Sequence, residues 1–282
     1  MSKSFDRMAE LDSGTLMVVD GLNLAFRWKH SKSEKFVDDY IKVVDSLKRS
    51  YKASKVIIAC DKGSSSYRKA IYPEYKQNRK DKYETQTEQE KEEFEAFFKE
   101  FEATMLQIST VYPVLRYEGT EADDIAAYVV KSIKQYPNIT NIWLISSDKD
   151  WDLLVNEYTS RFSYVTRKEV TNDNWNMHYD CDQQDYISIK CLNGDAGDNV
   201  KGVEGVGPKR ALDLVKEYGS AFDIAAAIPI QSKYKYIQSL NQCKDRILLN
   251  YELMDLLTYC EDALKDNVGK IDTVLEEYLG NP

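Results

Sequence analysis

Histidine is almost missing from this chain. His30 and His178 are the only two in 282 residues, which leaves neither an H-E-x-x-H zinc motif nor a well-supported Ser-His-Asp triad. Cysteine is also scarce. Cys60, Cys181, Cys191, Cys243 and Cys260 are odd in number and show no C-x-x-C spacing, so neither a disulfide framework nor a zinc knuckle is indicated. No apolar run approaches the ~20 residues of a membrane helix. Residues 1–13 are polar, without the apolar core of a signal peptide. A cytoplasmic chain is expected, in the host cytoplasm if the source is viral. An excess of base is lacking too. Lys and Arg total 38 against 47 Asp and Glu, a net charge of -9 and a pI near 5.0. Taken globally, that argues against nucleic acid, whose binding domains are usually basic.

What is present is an ordinary globular composition, 43% hydrophobic and 30% charged, and enough chain for one large or two modest domains. Three apolar runs, residues 16–19, 56–60 and 142–145, read as buried parallel strands. Helical spacing lies between them: residues 37–51, the Phe94–Phe97–Phe98–Phe101–Met105 series, and residues 121–136. From about residue 183 only helices and turns are expected. The fold class is therefore α/β, a mostly parallel central sheet flanked by helices, with a C-terminal helical region. The expected divisions are a tail over 1–14, an α/β core over 15–182 and the helical region over 183–282.

A long insertion, about 62–108, separates the second and third units and is split by charge. Residues 62–82 hold seven bases, interleaved with Tyr67, Tyr72 and Tyr75, against Glu74 and Asp81. Residues 83–102 hold eight glutamates against Lys91 and Lys99. The acidic block reads most simply as a solvated helix face. Bases mixed with rings suit a surface that follows a phosphate backbone and stacks bases.

Each predicted strand ends at or within a few residues of an aspartate: Asp20, Asp61 and Asp148. Strand C-terminal ends of a parallel sheet share one rim, where ligands bind. Further acids stand in Glu121-Ala-Asp123-Asp124, in Asp148-Lys-Asp150-Trp-Asp152 and in Gly194-Asp195-Ala-Gly-Asp198. Thr120 with Asp123 also makes a plausible helix cap. Two carboxylates 5 Å apart repel by about 3 kcal/mol at an effective dielectric of ~20, so a crowded rim calls for cations. Oxygen ligands without His or Cys select Mg²⁺ or Mn²⁺. More acids than one ion can use points to two ions acting on a phosphoryl group. Finally, Gly202-Val-Glu-Gly205-Val-Gly207-Pro208-Lys209-Arg210-Ala211 opens a helix, the pattern of a helix-hairpin-helix over about 200–219 that grips a nucleic-acid backbone without reading sequence.

Together these strings resemble the flap endonuclease and 5′-nuclease family, especially its free-standing bacteriophage type, and are similar to the 5′-nuclease domain of bacterial DNA polymerase I. The carriers are Val19-Asp20-Gly-Leu-Asn23, Asp61-Lys-Gly63, Pro73-Glu-Tyr75-Lys76-x-Asn-Arg79 and the acidic and glycine strings above, in the family's order over about 15–220. The resemblance implies a structure-specific 5′ flap endonuclease and 5′-3′ exonuclease that leaves 5′-phosphate and 3′-hydroxyl ends by a two-metal mechanism, with a role in DNA replication and repair. It places Asp20, Asp61, Glu121, Asp123, Asp124, Asp148, Asp150, Asp195 and Asp198 at metal-binding positions, Asp148 and Asp150 among the catalytic residues. The insertion becomes a helical arch that admits a single-stranded 5′ end. Lys76 and Arg79 would draw in the scissile phosphate, and Tyr75 would stack on a base. Arg27, Lys29, Lys190, Gly205, Gly207, Lys209 and Arg210 become DNA contacts, with a K⁺ ion at the hairpin. The implied partner is branched or flapped DNA with a 5′ end, met by a monomer. The alternatives are a junction or 5′-end binder without catalysis, and a phospho-receiver-like domain, which leaves hairpin and insertion unexplained. The nine proposed ligands also account for the acidity: without them, acids and bases are level.

Overall fold

A computed structural model describes residues 14–29 and 36–280. The expected 1–14 tail, apart from Gly14, lies outside the described residues. The chain divides into two compact units. The first comprises the described parts of residues 1–66, 86–172 and 260–282, and the second residues 67–85 and 173–259. This differs from the linear division at 182/183. Part of the insertion belongs with the helical unit, and the C-terminal end returns to the sheet unit.

The first unit is built on a six-stranded sheet: β1 (Thr15–Asp20), β2 (Lys55–Ala59), β3 (Val114–Leu115), β4 (Asn141–Ile145), β5 (Thr159–Ser163) and β6 (Lys168–Val170). Their order is β3-β2-β1-β4-β5-β6. All neighbours are parallel except the β5–β6 edge pair. The expected runs are β1, β2 and β4, the centre of the sheet. Leu16 to Val19 are fully buried, as expected of strands covered on both faces, and each such side chain contributes roughly 1.5–3 kcal/mol by burial. The chain runs outward from β1 through β2 to β3, then returns to β4 on the other side of β1. The β1/β4 boundary is thus a topological switch point, where open α/β sheets bind ligands.

Two helices extend the core of this unit beyond the sheet. The Glu88–Ile108 helix starts in a capping box between Thr87 and Glu90. Its first turns are the solvated acidic face. Its later turns bury Phe97, Phe101, Met105 and Ile108 in the core of this unit. The second half of the insertion is therefore partly core. The acidic C-terminal segment is structural as well. In the Val268–Leu279 helix Ile271, Leu275 and Leu279 are fully buried at i, i+4, i+8 spacing. The Val56 N–H donates to the Tyr278 hydroxyl at 3.2 Å, and the Tyr128 hydroxyl donates to Asp272 at 2.5 Å.

The second unit is helical, with one two-residue ladder, β7 (Gly194–Asp195) against β8 (Val200–Lys201). The Gln183–Asn193 and Pro208–Tyr218 helices flank the expected hairpin. Val203 and Val206 are buried in its core. Gly202 is obligatory, because a Cβ there would meet the Asn193 carbonyl oxygen at 2.1 Å. At Gly207 a Cβ would meet nothing within 4 Å, so packing does not require that glycine; open space lies before the helix start.

Candidate metal centre and nucleic-acid interface

Asp20 closes β1 and caps the Gly21–Ala25 helix. One carboxylate oxygen accepts the Asn23 N–H at 3.1 Å; the other accepts the Ser146 hydroxyl at 2.7 Å. Ser146 follows β4 and in turn accepts the Asp148 N–H at 3.1 Å. One buried hydroxyl thus ties two predicted ligands across the switch point. Asn23 adds a second link, accepting the Ser147 N–H at 2.9 Å. Asp148 caps its own short 3₁₀ helix, Lys149–Leu154, by accepting the Asp150 N–H at 2.9 Å.

Asp61 does the work assigned in sequence to Thr120. The Ala122 N–H donates to Asp61 at 2.6 Å, whereas the Thr120 hydroxyl donates to the Tyr117 carbonyl. The Thr120–Asp123 capping box is absent. The first helical residue is Ala122, and Glu121 precedes it without a side-chain cap. Asp123 instead accepts the indole N–H of Trp151 at 2.7 Å. Glu121 and Asp124 are buried, Asp124 within electrostatic reach of Cys260.

The charge balance at this rim is unfavourable. Burial, then the charge of Asp61, pushes the Asp20 carboxyl up to about 8; Asp148 adds to the rise, and the Ser146 and Asn23 hydrogen bonds only partly oppose it. Asp20, Asp61 and Asp148 are therefore brought together. Among the described residues, no three His, Cys, Asp or Glu side chains stand close enough as placed to enclose an ion. The donor set nevertheless fits a hard divalent cation. It is all oxygen, and its buried member is the carboxyl that burial and the charge of Asp61 push up, a shift that a bound cation would oppose.

Asp152, last of its acidic string, has another task. Buried to 1%, it receives both arms of Arg161, Nη2 at 2.8 Å and Nε closer still. Arg161 also donates to the Ser146 carbonyl at 3.0 Å. This buried pair fastens β5 to the Asp148–Asp150 segment. Ser146, Trp151 and Arg161 are supporting residues that spacing missed. A basic residue between Ser160 and Phe162 in a short strand was the available signal for Arg161.

The second unit gathers its own set. Asp198 accepts the Tyr75 hydroxyl at 2.9 Å and pairs with Arg79 at 2.5 Å and Lys76 at 3.6 Å. The backbone reinforces this contact: the Lys76 N–H donates to the Asp198 carbonyl at 2.9 Å, with Lys76 at a φ of 55°. Asp195 accepts the Gly197 and Asp198 N–H groups and lies 3.9 Å from Lys190. Tyr75 does not fit the role of base platform. It is 3% exposed, packed in the helical core and covered by Arg68 and Lys76. The basic block behaves likewise at Arg68, which is buried and donates to the Leu253 carbonyl.

The remaining predicted contacts are scattered. Lys29 lies over the rings of Phe26 and Phe94, and Arg27 lies over Trp28. At the hairpin, Gly205 has a φ of 76°. Arg210 folds back, donating to the Gly205 carbonyl at 2.5 Å and covering Tyr236. Lys209 and Gly207 are exposed.

A family described as 5′-3′ exonuclease, N-terminal resolvase-like domain, matches residues 15–180, and its partner, 5′-3′ exonuclease, C-terminal SAM fold, matches 181–273. The chain belongs to the 5′-3′ exonuclease family. The resolvase-like portion carries Asp20 to Asp150, and the SAM portion carries Asp195, Asp198 and the hairpin. Within this exonuclease family, the flap endonuclease of Escherichia phage T5 is 42% identical over 272 residues, 94% of this chain and 93% of that one. A structure of the T5 flap endonuclease in a pseudo-enzyme–product complex with DNA and metal ions superposes at a TM-score of 0.89, with 41% identity over 95% of this chain and 100% of that one. A structure of the T5 5′-exonuclease with divalent metal ions (zinc) bound gives the same score and identity over 94% and 99%.

Proposed function

We propose that the chain is a divalent-metal-dependent structure-specific nuclease, a 5′ flap endonuclease and 5′-3′ exonuclease. It hydrolyses phosphodiesters at or near 5′ single-strand/duplex junctions in flapped or branched DNA, leaving 5′-phosphate and 3′-hydroxyl ends. The observation that carries this reading is the convergence of Asp20, Asp61 and Asp148 at the switch point, with Asp20 pushed up to about 8 by burial and by its neighbours' charge.

The residues that would hold the cations on the sheet unit are Asp20, Asp61, Glu121, Asp123, Asp124, Asp148 and Asp150; Asp195 and Asp198 are engaged by Lys190, Lys76 and Arg79 within the helical unit. Mg²⁺ or Mn²⁺, two ions in all, is the cofactor this oxygen-only set favours. When bound, such ions supply an activated water and offset charge on the transferring phosphoryl group. Asp20 would have to be ionised to serve as a ligand, and the Ser146 and Asn23 hydrogen bonds would hold its carboxylate and the β1 and β4 ends in register. Lys76 and Arg79 exchange the Asp198 carboxylate for the scissile phosphate, one anion for another. The Gly205–Gly207 turn, with the exposed Lys209, holds the duplex backbone, and a K⁺ ion at this hairpin is part of the same reading.

Cleavage of a 5′-flap DNA with Mg²⁺, and again with EDTA, tests the assignment. The expected result is cutting only with metal, and none by Asp148→Asn. Cutting in EDTA, or full activity of Asp148→Asn, refutes the mechanism. Binding without any cutting by the wild-type chain selects the non-catalytic junction module instead.

A further inference from the structure

We propose that Arg116 is a positioning residue for the candidate ligand Asp61: its guanidinium clasps the Asp61 main chain to Glu102 of the insertion, and this clasp sets the affinity of the rim for a divalent cation. The inference rests on the metal-centre reading and deepens it with two residues that no motif marked.

The clasp begins at the rim itself. Leu115 ends β3 and lies opposite Ala59 in the parallel β2–β3 pair, and the Cys60 N–H donates to the Leu115 carbonyl at 3.0 Å. Arg116 therefore leaves the sheet close to Asp61. Its Nε donates to the Asp61 carbonyl at 3.0 Å. Its Nη1 and Nη2 donate to the two Glu102 oxygens at 2.7 and 2.6 Å, the parallel fork that a guanidinium forms and an ammonium cannot. The group lies over the fully buried Phe101 ring, 5.5 Å from its centroid, and the Arg116 side chain is mostly shielded. With Glu102 57% exposed, the ion pair adds little stability by itself; its consequence is what it holds in place.

What it holds is one candidate ligand, gripped at both ends. The Asp61 carbonyl accepts from Arg116, and an Asp61 carboxylate oxygen accepts the Ala122 N–H at the start of the Ala122–Ser132 helix, at 2.6 Å. A side chain tethered at its main chain and at its carboxylate has little freedom left, as a ligand poised for an ion requires. One turn on from Glu102, the Met105 sulfur meets the Cys60 thiol at 3.3 Å. The Glu88–Ile108 helix is thus joined to the β2 end at residues 60 and 61, and its placement is passed to Asp61. Charge is not the reason for an arginine here. A guanidinium beside a cation site repels the cation, so Arg116 helps the site only through what it positions.

The test is Mn²⁺ binding to the full-length wild type, Arg116→Lys and Arg116→Gln, read by electron paramagnetic resonance of the free ion, with hydrogen exchange of the Ala122 amide in EDTA. Both variants should bind Mn²⁺ about tenfold more weakly, the lower end of what losing the partner of a metal ligand costs. Lys keeps the charge and loses the fork, so it should not rescue. Gln removes the charge, which by electrostatics alone would tighten binding. The Ala122 amide should exchange faster in both variants, with the β1 amides as in the wild type. Wild-type binding in Arg116→Lys, or tighter binding in Arg116→Gln, would overturn the proposal. So would weaker binding with exchange raised equally in β1, which would make the clasp a support of the fold alone. A wild type that binds no Mn²⁺ would overturn the metal-centre reading itself, a separate outcome.

Discussion

The two acid clusters of this molecule are alike in sequence and opposite in electrostatics. Asp20, Asp61 and Asp148 meet as like charges, and burial followed by the charge of Asp61 pushes the Asp20 carboxyl up to about 8. Asp198 is surrounded by Arg79, Lys76 and the Tyr75 hydroxyl, and Asp195 has Lys190 nearby. In the first cluster burial and like charge act on the same carboxyl; in the second, basic side chains and a hydroxyl stand around the carboxylates.

Substitutions can break this contrast in order of effect. Asp61→Asn should abolish flap cleavage, by more than about 10³-fold, comparable to losing an electrostatic anchor of the transition state. The same variant should make the metal-free protein more stable by about 1 kcal/mol, because it removes like charge next to Asp20 while an amide oxygen still accepts the Ala122 N–H; thermal melting in EDTA measures this. Lys76→Ala should slow the single-turnover rate by about 10²-fold with little change in binding. An equal loss in both would assign Lys76 to grip alone.

The pH behaviour follows from Asp20. Its folded value lies above the unfolded one of 3.8, so the folded state holds more protons between about pH 4 and 8, and metal-free stability falls as pH rises through that window. Asp20→Asn should flatten that slope in melting curves recorded from pH 5 to 8. Smallest of all, Asp198→Asn should cost under about 1 kcal/mol, the range of partly exposed ion pairs. Its sign is opposite to that of Asp61→Asn, and a stabilising Asp198→Asn would erase the distinction between the clusters.

Much of this was legible before the fold. The runs at 16–19, 56–60 and 142–145 are the three central strands, because a strand covered on both faces needs continuous aliphatic residues. Their terminal aspartates therefore fall on one rim. The edge strands were not legible. β3 is two residues long, and β5 reads Thr-Ser-Arg-Phe-Ser, where the buried Arg161 depends on an acid nine positions back. The cap at residue 122 was misassigned for a similar reason. Thr120 is local, but Asp61 is brought to the helix start from 61 residues away. Tyr75 was misread because aromatic and basic neighbours look the same whether they face solvent or a second core. The stripe Ile271–Leu275–Leu279 was visible in principle, and the surrounding acids concealed it.

That last helix has a consequence for how the protein is made. Its tyrosine receives the Val56 N–H of β2, and its aspartate receives the Tyr128 hydroxyl. A strand synthesised early thus waits for a partner synthesised at the end. A product of interrupted translation, lacking Val268–Leu279, would carry the acid rim and the hairpin on a sheet with an uncovered flank, exposed to proteolysis. The Val268–Leu279 segment is in this way a condition for closing the flank of the sheet.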